Sequence, residues 1–599
     1  MTLPNTLPTT LHRLMLAPLA AVLGLLPHQA GAAAPVAEAP AGAAAQAEAR
    51  CTALAQAMAG HWPDASTRLL SATFHSAGPA PVPPGPPGMT PPPVALPAHC
   101  ALVGTMRERS GVDGQRYAIR FHLRLPVAWN GRFFFSGGGG TNGELGDAIG
   151  RLTAALPALV QGYAVLSQDS GHDNATNSDP ARGGATAFGF DPQARADYGG
   201  TSLQPVTLAA RAAIRQFYGS DPRKSYFVGC SKGGQEGMML AQRYPDLFDG
   251  IVAAAPGFSL PKAAIAEAWN TQAFASVVQA AGKPVTLANL RASFSMGDLA
   301  LVGQAVRTAC DGLDGTTDGL VAAVGQCTSA KVLPQLRASL CKGAKAEGCL
   351  SGPQIDALVR IHDGARDSKG RQIYPGFPWD AGWADMGWRI WMLGTPDGSV
   401  PPINVAMGLP ALASVFMTPP TLAGATPDAL LAWAMQLDMD RAAAGIAAVA
   451  PPFTRSAWDD VGARASDLDA FRARGGKLIV PHGVSDPVFS VNDTLGWWQE
   501  VDARYRGDAK AFVRVFPVPG MGHCQGGPAT DQYDAFGALV QWVEEGKRPD
   551  QLMGTAGPMS GLNGIKRPLC AAPAIARRQT AQAGAQEDPA AVQVACTQP

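Results

Sequence analysis

Short apolar runs alternate with helix-forming segments in two separate parts of this chain. In the first part, runs such as "YAIRFHLRLP", "RFFFS", "YAVLSQ", "KSYFV" and "GIVAAAP" precede glycine-rich or polar residues, which is typical of strands that carry loops at their ends. The stretch "TLAARAAIRQFYG" has its apolar residues at helical spacing. In the second part, "GGKLIVPHG" and "FVRVFPVPG" repeat the strand pattern. This alternation predicts an α/β protein with a parallel, doubly wound sheet.

The alternation stops after residue 256 and resumes near residue 470. The residues between, 257–469, are rich in Ala, Met and Trp and are mostly helical by pattern. We therefore expect a core made of residues 33–256 and 470–599, with residues 257–469 inserted as a helical lid domain. A domain inserted above the strand ends is well placed to cover a ligand pocket.

The N-terminus has the features of a secretory signal peptide. Arg13 precedes the apolar run "LMLAPLAAVLGLLP", and Ala30 and Ala32 supply a small-residue cleavage signal. The run is too short to span a bilayer and contains Pro18. We expect residues 1–32 to be removed and the mature protein to be secreted or periplasmic.

Charge and cysteine content narrow the possible partners. Lys plus Arg and Asp plus Glu number 47 each, so no net field favours nucleic acid or a membrane surface. The sequence does not indicate an oligomeric state. All ten cysteines follow residue 32, and in an oxidising compartment an even set predicts disulfides rather than zinc ligands. We expect Cys51 and Cys100 to close the proline-rich loop at residues 79–93.

The stretch "GCSKGG" has the spacing of a nucleophile elbow. Gly229, Ser231 and Gly233 fit the pattern GxSxG, which here follows a predicted strand and precedes a predicted helix. Two glycines let strand and helix approach closely, so that the serine hydroxyl is exposed on a strained turn. The alternative is an ordinary glycine-rich turn, because GxSxG alone is a weak pattern.

An activated serine needs a histidine as base, and in this type of fold the histidine comes last in the chain. Three histidines follow Ser231: His362, His482 and His523. The first lies in the predicted lid, and the second is best explained as a strand-end residue. Chain order therefore selects His523, while His172 precedes the serine and is interpreted as a polar group near the cleft.

The acid that orients the base should lie between serine and histidine. Asp486 follows the strand "KLIVPHG" directly and lies on a loop at its end. Asp493 is the rival, but it is further from the strand end and is better explained as a helix cap. We therefore predict a triad of Ser231, Asp486 and His523.

Two cysteines provide an independent test of that triad. Cys230 immediately precedes Ser231, and Cys524 immediately follows His523. If serine and histidine meet, the cysteines come within disulfide reach. We expect a bridge between Cys230 and Cys524 that ties nucleophile to base.

The motifs "GCSKGG", "SDP" and "GHC" resemble those of the tannase and feruloyl esterase family, which includes esterases of mono-hydroxyethyl terephthalate. The resemblance extends over nearly the whole mature chain. It implies an α/β-hydrolase fold with a lid inserted after the strand that follows the elbow. It also implies the triad Ser231, Asp486 and His523, with a disulfide beside it.

An esterase also needs two backbone N–H groups directed at the oxyanion. One should come from Lys232, the residue after the nucleophile. The glycine-rich segment "SGGGG" follows an early strand and should supply the other. We assign this role to Gly138, with Gly139 as the second choice, against the alternative of a plain flexible loop.

The segment "CDGLDGTTDGLVAAVGQC" between Cys310 and Cys327 contains three closely spaced aspartates. Oxygen ligands of this kind suit calcium, although an Asp-Gly turn cluster explains the spacing equally well. The resemblance implies a structural calcium in this loop. The predicted ligands are Asp311, Asp314 and Asp318 with the carbonyls of Thr316 and Leu320.

Three further disulfides join neighbouring cysteines, a pairing for which only proximity in the sequence and the resemblance argue. They are Cys310–Cys327, Cys341–Cys349 and Cys570–Cys596.

These features predict a serine carboxylesterase that hydrolyses esters of aromatic acids such as ferulate or gallate. Phe416 and Phe489 are candidates for contact with the aromatic acyl group, against the alternative of core packing. Residues 391–440 contain no Lys or Arg, although Arg389 and Arg441 flank them, so a clamp for a free carboxylate is not evident. The sequence thus favours neutral phenolic esters over terephthalate monoesters.

Two alternatives from other classes remain at this point. One is a calcium-dependent binding protein without catalytic activity, and the other is a thiol hydrolase that uses Cys230. The first has no need of serine, acid and histidine in catalytic order. The second requires a free thiol at Cys230.

Overall fold

One mixed sheet forms the centre of the protein. The computed structural model describes residues 41–80, 94–562, 564–579 and 592–598. The predicted signal peptide at residues 1–32 and most of the proline-rich loop lie outside these ranges. The strands are β1 (Arg68–His75), β2 (Gly78–Pro79), β3 (Ala95–Leu96), β4 (His99–Ser110), β5 (Arg116–Pro126), β6 (Arg132–Ser136), β7 (Ala164–Gln168), β8 (Lys224–Cys230), β9 (Gly250–Ala254), β10 (Lys477–Gly483), β11 (Val513–Val518), β12 (Gln551–Thr555), β13 (Lys566–Cys570), β14 (Ile575–Arg578) and β15 (Val594–Thr597).

Nine strands of the described residues form the central sheet, in the order β1-β4-β5-β7-β6-β8-β9-β10-β11. The strands from β7 to β11 pair in parallel, as the alternating pattern predicts. The pairs β1–β4, β4–β5 and β5–β7 are antiparallel, so the expectation of an entirely parallel sheet is wrong at this edge. For β4–β5 the reason is that only a short turn joins the two strands, which leaves no room for a crossover helix.

Helices cover both faces of this sheet. The α-helices are α1 (Ala41–Ala57), α2 (Pro192–Ala196), α3 (Leu203–Tyr218), α4 (Lys232–Arg243), α5 (Leu260–Ala280), α6 (Leu287–Arg291), α7 (Met296–Cys310), α8 (Ser329–Ala338), α9 (Gly352–Asp363), α10 (Met386–Leu393), α11 (Leu409–Ser414), α12 (Pro427–Gln436), α13 (Met439–Ala447), α14 (Ala457–Val461), α15 (Asp469–Ala473), α16 (Val491–Arg504) and α17 (Ala535–Glu545). No helix of the described residues is long and apolar enough to cross a membrane.

Strand β6 shows why its sequence is continuously apolar. Phe133 and Phe135 pack in a core with residues of α3 and α4, whereas Phe134 packs in another core with Phe536 and Leu539 of α17. Successive side chains of a strand point to opposite faces. A strand buried on both faces therefore needs apolar residues throughout.

The stretch from β9 to β10, residues 255–476, contributes no strand to the central sheet and contains helices α5 to α15. Most residues of one hydrophobic core come from this stretch, and Trp379, Trp383 and Trp388 are fully buried in it. These three tryptophans are core residues. The predicted domain boundaries at residues 257 and 469 lie close to the ends of this stretch and stay a prediction.

All ten cysteines form disulfides, in the pairs expected from the sequence. The pairs are Cys51–Cys100, Cys230–Cys524, Cys310–Cys327, Cys341–Cys349 and Cys570–Cys596.

Candidate active site

Ser231 lies in a sharp turn between β8 and α4. Its backbone has φ 64° and ψ −121°, a strained conformation for a residue with a side chain. A Cβ atom on Gly229 would lie 2.5 Å from the backbone of Gly233, so the two glycines are required by the close approach of strand and helix. The N–H of Ser231 donates to the carbonyl of Ala254 at 3.1 Å. Neighbouring strand β9 thus helps to hold the turn.

Asp486 and His523 meet because they follow two adjacent parallel strands, β10 and β11. The carboxyl ends of parallel strands lie at the same edge of the sheet. The Nδ1 atom of His523 is 2.8 Å from Oδ2 of Asp486. This contact directs Nε2 of the ring away from the carboxylate.

Asp486 is fully buried and is held on both oxygens. The N–H groups of Val488 and Phe489 donate to Oδ1 at 2.8 and 3.0 Å. Burial alone would raise the pKa of this carboxyl, but the facing imidazole of His523 and hydrogen bonds from His482 and His523 lower it below its usual range. Asp486 is therefore a stable carboxylate that can orient a histidine and stabilise its cation.

The rival histidines lie outside the cavity of Ser231. His482 is buried, with Nδ1 2.8 Å from the hydroxyl of Thr494, and its Nε2 is 2.9 Å from the carbonyl oxygen of Phe489 and 3.5 Å from Oδ2 of Asp486. His362 places Nδ1 2.8 Å from the carbonyl oxygen of Phe377, and His172 is buried and stacks on Phe188. None of the three lines the cavity that contains Ser231.

The rival acid is also engaged elsewhere. Asp493 pairs with Arg464 at 2.7 Å and lies in the first turn of α16. The cap of this helix is Ser490, whose side chain accepts the N–H of Asn492. The expectation that Asp493 itself is the cap is therefore wrong by three residues.

The disulfide Cys230–Cys524 joins the turn of Ser231 to the loop of His523. Its Cα atoms are 6.1 Å apart, and 294 residues separate the two cysteines in the chain. Because both sulfurs are bonded, Cys230 is not a thiolate nucleophile. The thiol hydrolase alternative does not agree with this pairing.

A cavity of about 380 Å³ opens beside Ser231 and His523, a volume suited to a small organic ligand. Its wall includes both predicted contacts, Phe416 and Phe489, and also Trp391. The rings of Phe489 and Trp391 each lie edge-on to His523, with centroids 5.4 Å apart. Trp391 was not predicted as a wall residue, because four tryptophans close together in the sequence did not show which one leaves the core.

The two predicted oxyanion donors fare differently. Lys232 begins α4, so its N–H has no acceptor within the helix, and the residue lines the cavity. The N–H of Gly138 instead donates to Oε2 of Glu236 at 2.9 Å, and Gly138 does not line this cavity. Gly139, the second choice, does line it beside Ser231. Gly139 is therefore better placed than Gly138 for this predicted role, which stays a prediction.

Glu236 organises the loop that carries Gly139. It is fully buried and lies 3.1 Å from Nζ of Lys232, and the side-chain amide of Asn142 donates to it at 2.8 Å. Burial lowers the pKa of Lys232, an effect that its pairing with Glu236 opposes. Glu236 was not predicted from the sequence, although its i,i+4 spacing from Lys232 was a visible signal.

The aspartates of the predicted calcium loop are buried together. Asp314, Thr316, Asp318 and Leu320 line one cavity of about 20 Å³, which is large enough for a single small ligand. Burial and the neighbouring carboxylates raise the pKa of Asp311 to about 6. Arg567 pairs with Asp318 at 2.7 Å.

The charge balance of this loop fits a cation, because its three aspartates are buried together and the ion pair with Arg567 involves one of them, Asp318. The chemistry of the oxygen donors suits calcium. As the side chains stand, however, no group of three or more His, Cys, Asp or Glu residues among those described is arranged to hold a metal ion.

This chain is similar to known esterases in both sequence and structure. The family model for tannase and feruloyl esterase matches residues 100–588. The mono(2-hydroxyethyl) terephthalate hydrolase of Piscinibacter sakaiensis is 43% identical over 86% of this chain and 87% of its own length. The crystal structure of feruloyl esterase B from Aspergillus oryzae superposes with a TM-score of 0.67 at 22% identity, covering 92% of this chain and all of the other. An esterase from Aspergillus oryzae gives a TM-score of 0.69 at 22% identity over the same shares.

Proposed function

This chain belongs to the tannase and feruloyl esterase family, and from that membership we propose that it is a serine carboxylesterase acting on esters of phenolic aromatic acids. The observation that carries the proposal is the cavity that brings together Ser231, His523 and aromatic side chains. His523 is in turn hydrogen bonded to a buried carboxylate. Nucleophile, base and orienting acid are the parts that acyl transfer requires.

In the proposed first half-reaction, Nε2 of His523 takes the proton of the Ser231 hydroxyl. The serine oxygen attacks the ester carbonyl, and a bond forms between them. Asp486 stabilises the resulting imidazolium. The backbone N–H groups of Gly139 and Lys232 stabilise the oxyanion. His523 then gives its proton to the leaving alcohol, which leaves an acyl ester on Ser231.

In the second half-reaction, water takes the place of the alcohol. His523 removes a proton from water, and the hydroxide attacks the acyl carbonyl. When the tetrahedral intermediate collapses, Ser231 regains its proton from His523, and the aromatic acid is released. The disulfide Cys230–Cys524 keeps nucleophile and base together through both halves.

The cavity wall supports a neutral aromatic acyl group as substrate. Phe416, Phe489 and Trp391 offer flat apolar surfaces. None of the described residues that line the cavity is an arginine, and its lysine, Lys232, is paired with Glu236. Arg389 donates to the carbonyl of Phe294 rather than facing the cavity.

The second candidate substrate is mono(2-hydroxyethyl) terephthalate. The 43% identity to the hydrolase of Piscinibacter sakaiensis favours it. A free carboxylate on the substrate would, however, need a cation in the cavity, and none stands unpaired among the described wall residues. We therefore keep phenolic esters as the main proposal.

Three further features complete the proposal. The helical residues 257–469 act as a lid, because Leu260, Trp391 and Phe416 of this stretch wall the cavity opposite Ser231. The loop at residues 311–320 binds a structural calcium that neutralises its buried carboxylates. The protein is exported, and an oxidising compartment maintains its five disulfides.

Replacement of Ser231 by alanine tests the mechanism. We expect kcat/KM for methyl ferulate to fall by at least about 1000-fold with an unchanged melting temperature. A serine-directed phosphonate should label Ser231 in the parent. Turnover in the variant within tenfold of the parent would refute the assignment and leave the calcium-dependent binding protein as the better interpretation.

Substrate choice is tested by kcat/KM for methyl ferulate, methyl gallate and mono(2-hydroxyethyl) terephthalate, measured on one preparation. We expect one of the phenolic esters to be preferred. A clear preference for the terephthalate monoester would establish the second candidate.

A further inference from the structure

A glutamate with no polar partner among the described residues lies in the wall of the cavity. Glu267 belongs to helix α5 and lines the cavity together with Leu260 and Ala264. These residues are spaced i, i+4 and i+7, which places them on one face of the helix. Lys262, on another face, lies over the ring of Trp458 instead.

The carboxyl group of Glu267 is buried without compensation. The residue is 6% exposed, and Oε2 has no hydrogen-bond partner among the described residues. Neither oxygen forms an ion pair with them. A buried polar group without a partner costs free energy. Its presence in a wall otherwise suited to an apolar ligand therefore points to a partner that arrives from the cavity.

The backbone opposite Glu267 leaves space for this carboxyl. A Cβ atom at Gly408 would lie 1.4 Å from Oε2, so any other residue at position 408 would displace the group. Gly408 itself lines the same cavity. The fold thus holds the carboxyl at the wall rather than directing it to solvent.

The charge state of Glu267 differs from that of an ordinary glutamate. Burial, with a smaller contribution from the charge of Asp486, raises its pKa to about 8. Near neutral pH the group is therefore mostly a neutral carboxylic acid, which offers one hydrogen-bond donor and an acceptor. That pair of functions matches a phenolic hydroxyl, which also donates and accepts.

Helix α5 leads from the turn of Ser231 to the part of the cavity wall that contains Glu267. The N–H of Gly257, just before α5, donates to the carbonyl of Ser231 at 3.1 Å, so the helix starts beside the elbow. Glu267 lies seven positions after Leu260 on this helix, a rise of about 10 Å. An extended hydroxycinnamoyl group has its carbonyl at one end and its phenolic hydroxyl at the other, and it suits that span.

We propose that Glu267 is a specificity residue that binds the phenolic hydroxyl of the acyl group in the cavity that contains Ser231. It disfavours acyl groups that carry a free carboxylate at that position. This inference rests on the proposed esterase function, because it assumes that the acyl group occupies this cavity.

The test compares two esters that differ only in the hydroxyl, methyl 4-hydroxycinnamate and methyl cinnamate. In the parent we expect kcat/KM to be about tenfold higher for the hydroxylated ester, as for one buried hydrogen bond. Glu267→Leu should abolish this preference, so that the ratio of kcat/KM between the two esters falls to within about twofold of one. Glu267→Gln keeps a donor and an acceptor and should retain part of the preference.

A matched control lies on the same helix. Gln272 is a polar residue of α5 whose amide donates to the carbonyls of Ala434 and Leu437, and it does not line the cavity. Gln272→Leu should keep the full preference even if it lowers stability. An equal loss in both leucine variants would show a structural effect and overturn the role of Glu267.

Binding measurements separate this inference from the proposed mechanism. In a Ser231→Ala background, calorimetry with the two esters should give the same preference in Kd, and Glu267→Leu should remove it. If the Ser231→Ala protein still hydrolyses ester, the proposed role of Ser231 is wrong. The difference in Kd between the two esters would still test the role of Glu267. A preference that persists in Glu267→Leu, in both kcat/KM and Kd, overturns the inference.

Discussion

Two buried carboxyl groups near one cavity have opposite environments. Asp486 receives two backbone N–H groups and faces two imidazoles, and its pKa lies below the usual range. Glu267 has no partner among the described residues, and its pKa is raised to about 8. Both side chains are almost completely buried. Burial alone therefore does not decide the charge of a carboxyl, whereas its hydrogen-bond donors and charged neighbours do.

The two environments suit Asp486 and Glu267 to different roles. A carboxylate with fixed donors suits the orientation of a base, since its charge persists while the imidazolium forms and disappears. A neutral carboxyl with no partner suits recognition, since it can give one hydrogen bond to a ligand and accept another. The two groups are expected to respond differently to removal, to pH and to substrate.

The largest loss of activity is expected when Asp486, the carboxyl group with several hydrogen-bond partners, is changed. Asp486→Asn keeps the size of the side chain but removes the charge and presents an N–H to His523, which favours the wrong tautomer. We expect kcat to fall by about 1000- to 10,000-fold, measured with methyl ferulate.

The control for this variant is Asp493→Asn, which removes the rival acid. Its partner is Arg464 rather than a histidine, so we expect kcat to stay within about threefold of the parent while stability falls modestly. A larger loss of kcat at Asp493 than at Asp486 would reverse the assignment of the acid.

The next largest loss is expected when the disulfide Cys230–Cys524 is removed. Exchange of both Cys230 and Cys524 for serine opens a loop of 294 residues, and we expect unfolding to require about 2–5 kcal/mol less. We also expect kcat/KM to fall, because nucleophile and base lose their tie. Thermal unfolding and ester hydrolysis measure the two losses.

A second disulfide serves as the control for that experiment. Cys341 and Cys349 are eight residues apart and do not line the cavity. Their exchange for serine should lower stability less, because a short loop is closed, and should leave kcat/KM unchanged. Full activity and an unchanged melting temperature in the Cys230 and Cys524 variant would deny the bridge any role.

The triad and the disulfide beside it could be predicted from the sequence. Ser231, Asp486 and His523 lie in short motifs at strand ends, and Cys230 and Cys524 adjoin two of them. Chain order and local spacing are enough to select such residues. The parallel half of the sheet was predictable for the same reason, because each apolar run is local.

The surroundings of Glu267 could not be predicted in this way. Glu267 becomes significant only when α5 packs against Gly408 and Trp391, which are far from it in sequence. The better placement of Gly139 than Gly138 as an oxyanion donor likewise depends on a contact between Gly138 and Glu236, which is about a hundred residues away in the chain. The strands β1 and β4 were missed because they pair antiparallel at the sheet edge, outside the strand and helix alternation.

The predicted calcium loop is an intermediate case between the two carboxyl sites. Its three aspartates are buried close together, and Arg567 pairs with one of them, Asp318, so binding of a divalent cation should stabilise the folded state. At a calcium concentration 100 times Kd the gain is about 2.7 kcal/mol. We expect chelation to lower the melting temperature by several degrees, with kcat at 25 °C little changed.

Asp311→Asn provides the matched variant for the calcium prediction. It removes one predicted ligand, so its melting temperature should respond less to chelator than that of the parent. Calorimetric titration of chelated protein with calcium gives a readout that does not depend on activity. A melting temperature that ignores both chelator and added calcium would leave the aspartates as a turn cluster.

The smallest effect is expected from Glu267 on stability, and its sign follows from the raised pKa. Between its ordinary value of 4.5 and about 8, the folded state keeps a proton that the unfolded state has lost. Stability therefore falls as pH rises through this window. Asp486 acts in the opposite sense, since its lowered pKa contributes stability that is lost as pH falls below the ordinary value.

Glu267→Gln isolates this contribution, because glutamine does not titrate. We expect the variant to melt close to the parent at pH 5 and roughly 2–4 °C higher at pH 8, where the parent increasingly holds a buried charge without a partner. Differential scanning calorimetry at both pH values measures the change. An equal shift at pH 5 and pH 8 would mean that Glu267 does not change its protonation in this range, and the contrast with Asp486 would then rest on geometry alone.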